Sequence, residues 1–253
     1  MTQVYLVLGL PGSGRLELIG NLIEDGLPDS PSVSVYVAPG DAIPTNDEDG
    51  SPLAKLAKVT VVPFSFAKDH FVIPPENEPA SQPDTVFFVA NGRTSVIDQL
   101  EAFPPWLKAR GWELARVLLV VDSTLAAAQP KVVEWYEVCV HFADCVLMNR
   151  RNTLNQTWVQ QFQKKFFAER YPCQFVPVKQ GRVDNAMVVL FPEARRMTLI
   201  FDDIDPVDQL DLDEDNLPEE PFNLENKPDP YFERLPSGHR CKVVPDVTKF
   251  LPK

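Results

Sequence analysis

The run VYLVLGLPGSG at residues 4–14, followed at once by RLELIGNLIEDG at 15–26, decides the fold. Its opening residues are apolar without interruption, the composition of a strand buried on both faces. A glycine-rich turn of the form G-x-x-x-x-G, from Gly9 to Gly14, ends the run, and an amphipathic stretch begins immediately after it. Strand, glycine turn and helix in that order are the layout of a phosphate-binding P-loop.

Gly9, Gly12 and Gly14 permit positive φ and let backbone N–H groups converge as an anion nest, with Ser13 in the same turn. The N-terminus of the following helix adds positive potential. A working P-loop continues with Lys and then Ser or Thr; here those positions hold Arg15 and Leu16. Arg15 keeps the charge on a longer, planar fork. Leu16 has no oxygen to offer magnesium. Gly9, Gly12, Ser13, Gly14 and Arg15 are therefore the candidate ligand-binding residues. The ligands they suit are GTP or another nucleotide, or phosphate. A blander reading treats the glycines as a tight strand-to-helix connection only.

A chain of 253 residues holds one α/β domain and an appendage. Its formal charge of −12 argues against binding to a nucleic-acid backbone. No apolar run reaches the length of a membrane span, and the first residues lack the basic start of a signal peptide. The four cysteines, Cys139, Cys145, Cys173 and Cys241, form no metal-binding spacing. His70, His141 and His239 are scattered and suggest no metal triad. A reduced, cytoplasmic protein is expected.

Beyond the loop, strand-like and helical runs alternate. VSVYVAP (33–39), TVFFVAN (85–91), RVLLVVDS (116–123), CVLMNR (145–150) and CQFVPV (173–178) read as strands, with a weaker one in KVTVVPFSF (58–66). Helices are expected at 94–103, 131–143 and 153–171, and one helix and one strand in 185–203. This alternation predicts a doubly wound, mostly parallel sheet with helices on both faces, a P-loop NTPase-like three-layer sandwich. Between Asp202 and Pro230 there are twelve Asp or Glu against one Lys, which accounts for nearly all of the net charge. An acidic, partly irregular extension is expected there. Within it, DLDEDNLPEE (211–220) opens like a calcium loop but has Asn216 and Phe222 where Gly and Glu are needed. The expected division is 1–180 for the P-loop domain and 181–253 for the extension.

The order of these motifs resembles the CobW-type P-loop GTPases. VLGLPGSGRLELIGNLI is similar to their first segment and DTVFFVANGRTSVIDQL to their switch region. VLLVVDSTLAA resembles their central strand, and ADCVLMNRRNTL their base-reading segment. The resemblance covers about residues 1–180. It implies a switch carboxylate near Val89, a base-reading Asn-Lys-x-Asp and a Cys-rich metal motif. Gly92 and Asn149 match, and Asn149 joins the candidate nucleotide-binding residues. Val89 is not acidic, Arg150 stands for Lys, Asn152 stands for Asp, and VTVVPFSFAKDHFV contains no Cys. An amide offers guanine one acceptor oxygen where a carboxylate offers two. Asp122 reads as a cap residue before it reads as a catalytic acid, and Asp144 as structural.

The expectation is a degenerate member of this class: no catalytic residue, no efficient GTP hydrolysis, no metal site, and a binding or regulatory role. A protein partner docked through the acidic arm is the expected contact. One alternative is a nucleotide-hydrolysing relative linked to metal or cofactor homeostasis, with Arg15 on phosphate and an acid such as Asp122 on the metal. Another is an interaction subunit whose loop is empty, Leu16 packing into the core and Arg15 meeting an acid. A third is a different anionic ligand held without magnesium.

Overall fold

The computed structural model describes residues 1–27, 32–39, 53, 56, 58–151, 154, 156–202 and 229–251. Strand β1 (Gln3–Gly9) is buried from Val4 onward. Helix α1 (Arg15–Gly26) follows the loop, and its Leu18, Ile19, Leu22 and Ile23 form one stripe against the sheet. Strands β2 (Val33–Val37) and β3 (Val59–Pro63) come next, then β4 (Ser65–Ala67), β5 (His70–Val72) and β6 (Thr85–Val89). The second half contains α2 (Val96–Arg110), β7 (Glu113–Asp122), α3 (Ser123–Ala128), α4 (Pro130–Phe142) and β8 (Cys145–Asn149). It closes with α5 (Gln156–Ala168), β9 (Gln174–Lys179), β10 (Arg182–Val183) and α6 (Ala186–Leu190).

Eight strands form one sheet in the order β10-β9-β8-β7-β1-β6-β2-β3, and β4 and β5 pair as a separate hairpin. Every pairing in the large sheet is parallel except β10 against β9. The expected doubly wound α/β fold is present. β1 lies between β6 and β7, so the chain crosses it in both directions. The carboxyl ends of β1, β6, β7 and β8 meet at one edge, the crevice where open α/β sheets bind ligands.

The two faces of the sheet differ in character. Aliphatic Val35, Val37, Leu118 and Leu147 share a cluster with α1 and α6. The opposite face is aromatic: Phe88 packs on Phe64, Phe71, Phe103 and Trp106 with ring centroids 4.5 to 5.1 Å apart. Such rings contribute both area and edge-to-face contact.

The weaker strand expected in 58–66 is present as β3, paired in parallel with β2. Two elements differ from the sequence expectation. Helix α2 does not stop at Phe103 but runs through Pro104 and Pro105 to Arg110. The two prolines remove N–H donors. Phe103, Trp106 and Leu107 are nevertheless buried, and Gly111, at φ 63°, closes the helix through the carbonyls of Leu107 and Lys108. The strand expected in 185–203 does not form among the described residues 191–202.

Buried polar side chains anchor α6 and the segment after it. Arg116 of β7, fully buried, donates to the carbonyls of Val188, Val189 and Glu193 and to Gln174 Oε1. The Tyr5 hydroxyl donates to Leu190 O at 2.7 Å. Asp144, also fully buried, accepts from Val117 N, from Arg195 N and from the guanidinium of Arg196 at 3.0 Å.

The chain divides into two compact units, Met1–Met197 with Val244–Lys253, and Thr198–Val243. In the first unit α6 packs on α1, and Val247 and Leu251 are buried. In the second, Cys241 N bonds Glu233 O, and Arg234 and Arg240 form a single bridge. The calcium-like stretch 211–220 and most of the acidic arm lie outside the described residues.

Candidate functional site

The loop from Gly9 to Gly14 sits at the carboxyl end of β1, as expected. Gly14 is the N-cap of α1 in the left-handed region, at φ 88° and ψ 24°, and no side chain caps it. A Cβ there would collide with Nδ2 of Asn149, so glycine is required twice over. Asn149, at the end of β8, donates from Nδ2 to Ser13 O at 2.8 Å and accepts at Oδ1 from Arg150 N. It is 5% exposed. Its amide thus braces the loop.

Arg15 turns inward. It is 4% exposed, and Nη1 donates to Ala90 O, just beyond β6, at 2.6 Å. Its Cδ lies 3.2 Å from where a Gly9 side chain would begin, so the stem runs back through the loop. The cation at the phosphate-holding position is tied to a main-chain carbonyl. Ser13 Oγ, 3.3 Å from the same point beside Gly9, is buried and has no protein hydrogen-bond partner. Gly12 is exposed at the rim.

The switch-like turn is fixed against the loop. A Cβ on Gly92 would lie 2.6 Å from both Gly9 O and Pro11 Cδ. Gln99 of α2, fully enclosed, accepts from Asn91 N at 2.7 Å and donates to Asn91 O at 2.9 Å. These bonds use both ends of the amide. Spacing alone gave no sign of this clamp, since Gln99 reads in the sequence as an ordinary helix residue.

Asp122 is a cap. Its Oδ1 accepts from Leu125 N at 2.9 Å at the start of α3, its Oδ2 lies 3.7 Å from Arg150, and its own N–H donates to Tyr136 Oη. Burial pushes the Tyr136 hydroxyl well above the usual phenol range, so the hydroxyl stays neutral beside Asp122.

Glu17 is the residue the sequence reading missed. It occupies the third position of α1, and Oε2 lies 3.3 Å from where a Gly14 side chain would begin. The spacing of an N-cap followed three residues later by Glu was the available signal. The reach-back in this chain lacks the Ser or Thr that usually accompanies it.

The position after Arg15 offers magnesium no oxygen. Leu16 is partly buried against the apolar core and contributes no oxygen. No cluster of three or more His, Cys, Asp or Glu able to hold a metal exists among the described residues. Nor is any described helix long and apolar enough to cross a membrane. Glycine-loop N–H groups, a helix N-terminus and a hydroxyl such as that of Ser13 are groups that bind phosphate oxygens.

Strand order, glycine loop and helix together define an α/β protein of the P-loop NTPase type. No protein-family model and no curated protein sequence matches the chain. Among solved structures it is similar to the Zn(II)-bound YjiA GTPase from E. coli. The TM-score is 0.45 and the identity 15%, over 76% of this chain and 61% of that one. A Zn(II)-bound triple mutant of the same GTPase gives 0.43 and 13% over the same shares. The chain thus spans less than two thirds of these GTPases.

Proposed function

We propose that this chain is a binding or regulatory protein built on a P-loop scaffold, one that does not turn over nucleoside triphosphates. The observation that carries this reading is Arg15, which is buried and whose Nη1 donates to Ala90 O at 2.6 Å. Phosphoryl transfer relies on a cation, magnesium and a positioned water acting on the transferring group. Here the cation is buried, the magnesium hydroxyl is replaced by Leu16, and the end of β6 carries Val89 and Ala90. What remains at the loop is a magnesium-independent seat for an anion. The twelve carboxylates between Asp202 and Pro230 suit a basic protein surface as the partner.

The test combines turnover with ligand-dependent stability. GTP and ATP hydrolysis with magnesium should stay at the uncatalysed level. Thermal unfolding should rise with phosphate or sulfate, equally with and without magnesium, because any ligand of the native state stabilises it by mass action. Magnesium-dependent hydrolysis that disappears in Arg15→Ala would overturn the proposal.

A further inference from the structure

A carboxylate stands beside the first turn of the helix that follows the loop. Towards β6 the cup is closed: Gly92 presses on Gly9 O and Pro11, and Arg15 is bonded to Ala90 O. A phosphate chain longer than one unit that leaves past Gly14 runs along the first turn of α1. Glu17 Oε2 lies there, 3.3 Å from the Gly14 Cβ position and 3.6 Å from that of Gly181 in the β9–β10 turn. Two glycines flank the carboxylate, so no side chain of theirs covers it. Glu17 is exposed and free to meet an incoming anion.

The same carboxylate has an electrostatic role. The N-terminus of a helix attracts negative charge within about its first turn. In α1 no side chain caps the N-terminus, and Glu17 is the acidic residue of its first turn. The chain supplies to its own helix part of the charge that a bound phosphate would supply. A second anion at that end meets both an occupied dipole and a like charge.

We infer that Glu17 sets the ligand class of this loop: it admits a single small oxyanion of the phosphate or sulfate kind and excludes nucleoside di- and triphosphates. This rests on the reading of the loop as an anion seat. That seat has an observation of its own in Ser13 Oγ, which is buried beside Gly9 without a protein partner.

The experiment compares wild type, Glu17→Gln and Glu17→Ala by thermal unfolding with inorganic phosphate and with GDP. Magnesium is absent and ionic strength is matched with chloride. Each protein is referred to its own ligand-free midpoint, which removes any change in helix stability. Far-UV circular dichroism checks the fold, and the isosteric Gln variant guards against loss of packing in the Ala variant. Wild type should respond to phosphate and not to GDP. Both variants should gain a GDP response and bind phosphate about tenfold more tightly, the scale of one like charge removed at close range. A GDP response in wild type equal to that of the variants, or none in either variant while phosphate still binds, would overturn the role of Glu17. Absence of any phosphate response in all three proteins would remove the seat itself, and with it the anion-binding part of the proposed function.

Discussion

At the scale of single residues, Arg15 and Asn149 tie the loop to the main chain. Each keeps the polar group the motif asks for, and each spends it on the main chain: Arg15 on Ala90 O, Asn149 on Ser13 O. The prediction at this scale separates structure from ligand chemistry. Truncating Arg15 to Ala orphans a carbonyl acceptor and leaves a void. Denaturant unfolding of Arg15→Ala should therefore show a loss of roughly 2–3 kcal/mol. A cation reserved for a ligand would leave unliganded stability unchanged, and an unchanged midpoint would contradict the latch described here.

At the scale of elements, Asp122 and Asp144 belong to a helix end and a buried staple. Asp122 caps α3, and Asp144 pins the segment after α6 through Arg195 N and Arg196. Asp122→Ala should cost about 1 kcal/mol, the usual value of an N-cap. It should leave the phosphate-dependent rise in melting temperature intact. Loss of phosphate response in this variant would place Asp122 in the binding chemistry after all. Helix α2 carries the same lesson in another form. Pro104 and Pro105 signal a stop, but the aromatic face of Phe103 and Trp106 against Phe88 keeps the helix running to Gly111. Tertiary burial here outweighs local propensity.

At the scale of the whole molecule, the thiols report the packing. Cys139, Cys145 and Cys173 are buried and Cys241 is exposed. Burial pushes the Cys145 and Cys173 thiols up to about 12 and raises Cys139 as well. Raised thiol values favour the neutral folded form, so this contribution is present below the ordinary value of 9.0 and fades as pH climbs towards 12. At pH 8 a thiol reagent should label one cysteine per chain quickly and the other three only after denaturation. Rapid labelling of two or more in the native protein would show that the core around β8 is open.

The sequence by itself determined the fold class and the position of the loop. An apolar run ending in spaced glycines, followed by a helical period, has few alternatives, and the alternating runs that follow impose a parallel sheet. It also shows, as letters, Arg15 and Leu16 where a P-loop carries Lys and then Ser or Thr, and Val89 where the resemblance implies an acid. Only the tertiary structure decided what the substituted groups do. Arg15 finds Ala90, Gln99 clamps Asn91, Asn149 braces Ser13 and Glu17 stands between Gly14 and Gly181. Most of these contacts join residues far apart in the chain, or depend on which strand neighbours β1. Side-chain direction and sheet order are fixed by packing, and periodicity along the chain carries no record of either.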